Sequence, residues 1–512
     1  MAIVTLNAFT PDYIYWADFF TASANVTART ATAYNYTSVD GYRVSLAGGG
    51  FQYDAANPNA FVNGTIGNIT VRNALNQVVF QITGLSADAV TYFYNVNGSP
   101  GFLDPNSFET INYLLLGNDT INGSNNGDDI GGGRMEGNDI INANGGDDFI
   151  KGSRGNDTIR GGDGFDTLSY QETFFADFGA FRGINLNATT GKVIDSWGNT
   201  DTISGIEDFR GSAFNDVIVG SAAPEEFFMG FRGRDIINGG AGYDLLLYTE
   251  DAFFGATHGI RVDMAAGQVV DSWGQIDTIA GIETVEGTKF ADVFFGGAGN
   301  DEFVGHAGLD SFSGGAGVDR VKFNGADGDV TVNLNRATGQ VINDGFGNTE
   351  TFVSIEDVWG GPHNDRITGN SVGNSIRGRQ GNDILNGGAG ADVMSGDEGN
   401  DLVAGGAGAD NFRFRTALGA VNQDRIVDFN PAEDTIQFER SIVAALPVGP
   451  LAAAAFKSGL NGAAADTSDR IIYNTTNGQV WYDSDGIGAT AAQLVATLLT
   501  KPALTAADFV VI

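Results

Sequence analysis

The segment Gly378–Arg413 reads GRQGNDILN-GGAGADVMS-GDEGNDLVA-GGAGADNFR. Its units are nine residues long, so Asp383, Asp392, Asp401 and Asp410 recur at a fixed spacing. Two positions after each comes a large apolar residue: Leu385, Met394, Val403 and Phe412. The pattern is G-G-x-G-x-D-x-U-x, with U apolar. Glycine at fixed places admits positive φ, so the chain can turn tightly and bring its carbonyls to one point. The aspartate adds charge there. The last three residues then make a short strand with one side chain facing inward. Two such units form one coil of about 18 residues, and coils stack in parallel. Ligands that are only oxygen, from carboxylate and carbonyl, suit Ca²⁺ rather than zinc or copper. A flexible Gly/Asp linker has no reason to keep an apolar residue behind every register aspartate.

The same register holds elsewhere. It places Asp139, Asp148, Asp157 and Asp166 in one block, Asp292, Asp301, Asp310 and Asp319 in another, and Asp235 and Asp244 in a third. Asp365 lies two units before Asp383, with Asn374 in the middle position. Asp216 opens a block that continues into the degenerate GSAAPEEFFMG. Asp119 and Asp129 precede the first block at a looser spacing. All of these aspartates except Asp129 are candidate calcium ligands. The repeat resembles that of the RTX (haemolysin-type calcium-binding) family, and the resemblance implies parallel β-rolls that hold multiple Ca²⁺ ions.

Composition agrees with a turn-dense β protein. Glycine numbers 75 among 512 residues, about twice its usual ~7% share. Hydrophobic residues make up 42%, more than a disordered chain carries. The length gives a prior of two to four domains. A net charge of −36 argues against nucleic acid and against docking on an anionic membrane. With no cysteine, disulfides and thiolate metal sites are excluded. No apolar run reaches the ~18 residues of a transmembrane helix. The opening MAIVTLNAFTPDYIYWADFF has no basic n-region and no small-residue cleavage site, so it does not read as a Sec signal peptide.

Three related inserts separate the blocks: Arg182–Asp216, His258–Asp292 and Gly328–Asp365. Each alternates apolar and polar residues around glycine-rich turns and reads as short strands that continue the solenoid. Trp197 and Trp273 occupy equivalent places, with Phe346 near the third, and read as rung-stacking aromatics. Glu207, Glu283 and Glu356 also correspond and read as turn or calcium groups rather than catalysts.

The expected fold is all-β: parallel β-roll blocks, an N-terminal β-sandwich-like domain over 1–112, and a C-terminal β-rich cap. The first roll spans 113–170, and blocks alternating with inserts span 171–415. Residues 416–512 form the cap, with a hairpin in Asp469–Gly486 and an amphipathic helix in Ala489–Leu499. This last segment resembles the C-terminal domain of serralysin-like substrates of type I secretion. That resemblance implies export through the type I machinery of a Gram-negative bacterium, hence an extracellular protein, either free or held at the cell surface.

No catalytic residue is assigned. H-E-x-x-H and G-x-S-x-G are both absent, and His258, His306 and His363 read as surface-turn residues. The expectation is therefore a non-enzymatic calcium-binding surface component (S-layer, matrix or adhesion) whose partners are calcium, the export machinery, and either further copies of itself or surface polysaccharide. The competing class is a lyase- or epimerase-like enzyme acting on polysaccharide with a solenoid face.

Overall fold

The structure, a computed structural model, describes residues 118–512 except 124, 132–135, 172–178 and 420–421, together with the backbone of six strands within residues 3–88. Two compact units are present: Met1–Leu246 with Gln275–Ile282, and Leu247–Gly274 with Glu283–Ile512. The described residues are almost entirely β, with three short 3-10 turns, such as Asp251–Phe254.

Alternate nonapeptides go to opposite sheets. Ile384–Ala389 pairs in parallel with Leu402–Ala407, so Leu385 meets Val403. Val393–Glu398 pairs in parallel with both Ser375–Gln380 and Asn411–Phe414, so Ile376, Met394 and Phe412 stack. In the first unit, Ile141 lies beside Ile159 on one sheet and Ile150 beside Leu168 on the other. These inward residues are buried and make the core. One apolar side chain per strand suffices because the two sheets face each other across a narrow interior. Parallel strands covered on their inner face need no wider apolar stripe.

The inserts follow one topology. In the first, Asn185–Asn187, Lys192–Ile194 and Thr200–Ser204 make an antiparallel meander. Its last strand pairs in parallel with Thr158–Asp163 and its first with Val217–Val219. The meander is thus spliced into one sheet, and the parallel ladder resumes after it. The hairpins Arg261–Asp263/Gln268–Val270 and Val330–Asn333/Val341–Asp344 repeat the arrangement, joining in parallel to Val293–Phe295 and Arg366–Thr368.

Within residues 3–88 the strands Asn25–Arg29, Ala33–Thr37, Arg43–Tyr53, Phe61–Arg72, Val78–Asp88 and Ile3–Leu6 form one antiparallel sheet in that order. Ile3–Leu6 then pairs in parallel with Thr120–Asn122, so this sheet runs on into the first roll. The sandwich expected over 1–112 otherwise falls largely on residues outside those described.

At the C-terminal end the expected hairpin is present as Ile471–Asn474 and Gln479–Tyr482. The expected helix is not. Gln493–Leu498 is a strand, antiparallel to Gln479–Tyr482 and parallel to Asp424–Ile426. Leu494, Val495 and Ala496 are buried in succession, a pattern that fits a strand covered on both faces rather than one helical stripe. Local Ala/Leu propensity is a weak preference, and two open strand edges outweigh it.

Phenylalanines fill part of the second unit's core. Phe294 and Phe312 stack with centroids 4.8 Å apart and planes within 2°. Truncating Phe312 to Ala should cost about 3–5 kcal/mol in denaturant unfolding in calcium. Val353→Ala, on an adjoining rung but 54% exposed, should stay within about 0.5 kcal/mol.

Candidate metal centre

Each turn delivers its aspartate into the interior. All seventeen candidate ligands, from Asp119 to Asp410, are no more than 8% exposed. In eleven of them the first oxygen accepts the backbone amide of the register residue one coil earlier, whereas Asp216, Asp292 and Asp365 accept instead from the insert amides of Ile184, Ile260 and Val330. Asp383 N donates to Asp401 Oδ1 at 2.7 Å, and Asp392 N to Asp410 Oδ1 at 3.0 Å, each across 18 residues. In the first roll one ladder runs Asp119, Asp139, Asp157. The opposite ladder contains Asp148 and Asp166. Asp216 donates to Asp235, Asp292 to Asp310, Asp301 to Asp319, and Asp365 to Asp383. Asp244 lies buried in the strand Tyr243–Leu247.

The structure corrects one register reading. The residue that joins the ladder before the first block is Asp128, whose amide donates to Asp148 Oδ1 at 2.8 Å. Asp129 instead enters the strand Asp129–Gly131, and its side chain pairs with Lys151 at 3.0 Å. Asp128 lies one unit after Asp119, so the nine-residue spacing holds there after all.

The ladders also continue through residues outside the nonapeptides. Asp157 N donates to Asp201 Oδ1, Asp235 N to Asp277 Oδ1, Asp401 N to Asp424 Oδ1 and Asp410 N to Asp434 Oδ1. Glu207 and Glu356 serve in the same way, accepting from the amides of Asp166 and Asp319 through Oε2. The signal for these was present: each is a carboxylate with an apolar residue two places on (Ile203, Ile279, Ile426, Ile436, Phe209, Val358). The glycines that make the full motif conspicuous are missing there.

Among the described residues, no three His, Asp or Glu side chains gather as a metal cage. A cation at these turns would therefore draw on backbone carbonyls as well as carboxylate. Two observations fit that. The second oxygens of Asp139, Asp319, Asp383, Asp392 and Asp410 are buried without a hydrogen-bond partner. A carboxylate left so inside protein is unfavourable unless a cation or proton joins it. The first glycine of the unit also keeps the space beside this oxygen open. A Cβ at Gly387 would collide with Asp392 Oδ2 and lie 2.6 Å from the Gly405 carbonyl oxygen. At Gly378 it would collide with Asp383 Oδ2 and lie 2.8 Å from Gly396 O.

Burial is the main influence on these carboxyls. It pushes Asp139 up to about 7 and Asp383 to about 8, opposed by the incoming amide and reinforced by neighbouring aspartates. Asp201 is raised to about 8 by the same cause.

The insert aromatics sit on equivalent turns. Asp195, Asp271 and Asp344 accept through Oδ1 from the amides of Trp197, Trp273 and Phe346 at 3.0, 3.0 and 2.9 Å. These rings are half-buried. Of the histidines, His306 adopts φ 62° in a roll turn, with Nε2 3.2 Å from Glu286 Oε2.

Six stretches match the family model of the RTX calcium-binding nonapeptide repeat: 135–168, 227–246, 277–312, 286–321, 359–394 and 377–412. The chain carries RTX calcium-binding repeats. Those matches fall on the paired ladders just described. Comparison with curated proteins returns no match. Among solved structures, the AlgE6R3 subunit of the Azotobacter vinelandii mannuronan C5-epimerase is 29% identical over 29% of this chain and 78% of its own, with a TM-score of 0.20. The extracellular lipase LipA from Serratia marcescens is 12% identical over 94% of this chain and 83% of its own, with a TM-score of 0.19. No helix among the described residues is long and apolar enough to cross a membrane, which says nothing of β-barrels.

The raised carboxyls set a pH dependence. A buried carboxyl whose folded pKa lies above its unfolded value of about 4 stabilises the fold when protonated. That contribution is complete below about pH 4 and is lost as the pH rises through about 7–8, where Asp139 and Asp383 titrate. In chelator, the melting temperature should therefore rise as the pH falls from 8 to 5. In calcium the trend should reverse, because protons compete with the cation. A chelated protein that melts lower at pH 5 than at pH 8 would contradict this account.

Proposed function

We propose that this is a secreted protein of a Gram-negative bacterium that binds several Ca²⁺ ions, folds on meeting extracellular calcium, and serves as a non-enzymatic structural component of the cell surface. The observation that carries the reading is the pair of buried carboxylate ladders within RTX repeats, in which the second oxygens of Asp139, Asp319, Asp383, Asp392 and Asp410 have no protein donor. Extracellular calcium modules bind at about 10⁻⁴–10⁻³ M, a range that the cytosol does not reach and the exterior does. In the cell the stacked carboxylates repel one another and the chain stays open, which suits export by the type I machinery. Outside, the cation neutralises them, and its binding free energy becomes folding free energy. A parallel roll with spliced β inserts repeats the same strand pairing from coil to coil, which suits a layer or matrix built from copies of the chain or bound to surface polysaccharide.

Circular dichroism tests the folding step. Millimolar calcium should increase the β signal of the chelated chain and raise its melting temperature, while magnesium at equal concentration should do much less. Identical spectra in chelator and calcium would sink the proposal. For the structural role, electron microscopy after calcium addition should show ordered sheets or filaments; a strictly monomeric protein at the same concentration would argue against it.

A further inference from the structure

The turns of the roll are not equivalent, and the difference lies in the second residue of the nonapeptide. In one class this residue has negative φ and satisfies its own aspartate, four residues on. Ser212 donates its amide to Asp216 Oδ2 and its hydroxyl to Oδ1, both at 2.7 Å. Thr288 donates its amide to Asp292 Oδ2 at 2.7 Å and its hydroxyl to the same carboxylate. Ser153 caps Asp157 Oδ2 through its hydroxyl at 2.7 Å. Gly297 and Gly361 do so through their amides, at 2.6 Å each, to Asp301 and Asp365. Asn370 caps Asn374, a register position without a carboxylate, in the same way at 2.8 Å.

In the other class the second residue is left-handed, and the turn's amides are used between coils instead. Gly388 and Gly406 have φ 105° and 101°, and Arg379 and Asp397 have 82° and 71° despite carrying side chains. Asn144 and Gly162 have 79° and 127°. The amides of Gly390 and Gly146 then bond the carbonyls of Ala407 and Asp163 on the next coil, at 2.8 and 2.9 Å. Asp383, Asp392 and Asp410 in such turns keep a buried second oxygen with no donor.

A second observation separates the classes independently. Where two left-handed turns are consecutive on one face, the parallel pairing runs past the strand into the turn. It joins Asn144 to Gly162, Arg379 to Asp397 and Gly388 to Gly406, and the strands there are six residues long. The left-handed turns at Phe231, Gly240, His306 and Gly315 each follow a capped turn on the preceding coil, so they offer oxygens from one coil only.

Building on the calcium reading above, we propose that among the described turns calcium is held between the consecutive left-handed pairs Asp148/Asp166, Asp383/Asp401 and Asp392/Asp410, whereas Asp157, Asp216, Asp292, Asp301 and Asp365 belong to self-capped turns that need no cation. A hydroxyl and amides replace the metal in the capped class. The roll then combines calcium-dependent pairs with turns that are capped without it and with single left-handed turns such as those of Asp310 and Asp319.

The test is calcium stoichiometry on the full chain, by equilibrium dialysis against calcium followed by atomic emission, with circular dichroism as a check on folding. Asparagine preserves the acceptor for the coil-to-coil amide, and Asn374 shows that this fold takes it at a register position. The double variant Asp392→Asn/Asp410→Asn should lose one bound calcium, and so should Asp383→Asn/Asp401→Asn. Asp216→Asn/Asp292→Asn should bind as much as the unaltered chain. If one paired variant fails to fold in calcium, Asp148→Asn/Asp166→Asn supplies the same comparison in the other unit. Equal calcium loss from capped and paired variants, or no loss from the paired ones, would overturn the partition alone. An unaltered chain that binds no calcium would overturn the partition and the calcium reading together.

Discussion

A backbone amide bonding a carboxylate one coil away is the interaction on which the roll depends. It ties successive turns together at the point where the chain reverses and where no strand ladder can act. The same bond fixes the carboxylate's first oxygen and so decides where the second must lie. Because the acceptor is charged and buried, the bond is stronger than a neutral one, and the remaining oxygen is correspondingly costly to leave alone. Register and burial thus follow from one contact, repeated from Asp119 to Asp434, and a cation is called for where no donor reaches the second oxygen.

The glycines serve that contact. The first glycine of each unit leaves room for the aspartate's second oxygen, and at Gly378 and Gly387 any side chain would collide with it. The left-handed positions let the turn's amides reach the next coil rather than their own aspartate. The apolar residue two places on anchors the strand in the core, so the aspartate before it cannot swing out. A nonapeptide is therefore one device, in which spacing matters more than the identity of the intervening residues.

The inserts and the C-terminal segment keep this logic with different means. Asp201, Asp277 and Glu356 accept the same amide without the glycines of the nonapeptide motif before them. On the last coil the carboxylate of Asp428 accepts from the amides of Gly405 and Gly406, each at 3.0 Å, so the final turn is closed by protein. Phe509–Val511 pairs in parallel with Thr435–Phe438, and Gln493–Leu498 covers the edge of the other sheet, which leaves neither roll sheet open at that end. The sequence reading of that stretch as a helix failed because edge satisfaction is a property of the assembled sheet, not of the segment.

The sequence by itself determined the repeat, its period, the inward apolar positions and the aspartates of the register, since these depend only on spacing along the chain. It also carried the D-x-U trace of Asp201 and Asp424, legible once the glycines are no longer required. Only the tertiary structure decided that Asp128 rather than Asp129 holds the ladder, that the inserts enter as antiparallel meanders, and that Gln493–Leu498 is a strand. It alone divided the turns into capped and left-handed classes. Gly297 and Gly388 are the same residue at the same motif position, yet one caps its aspartate and the other does not. A glycine's φ is set by the coils stacked against it, and no nine-residue window contains them.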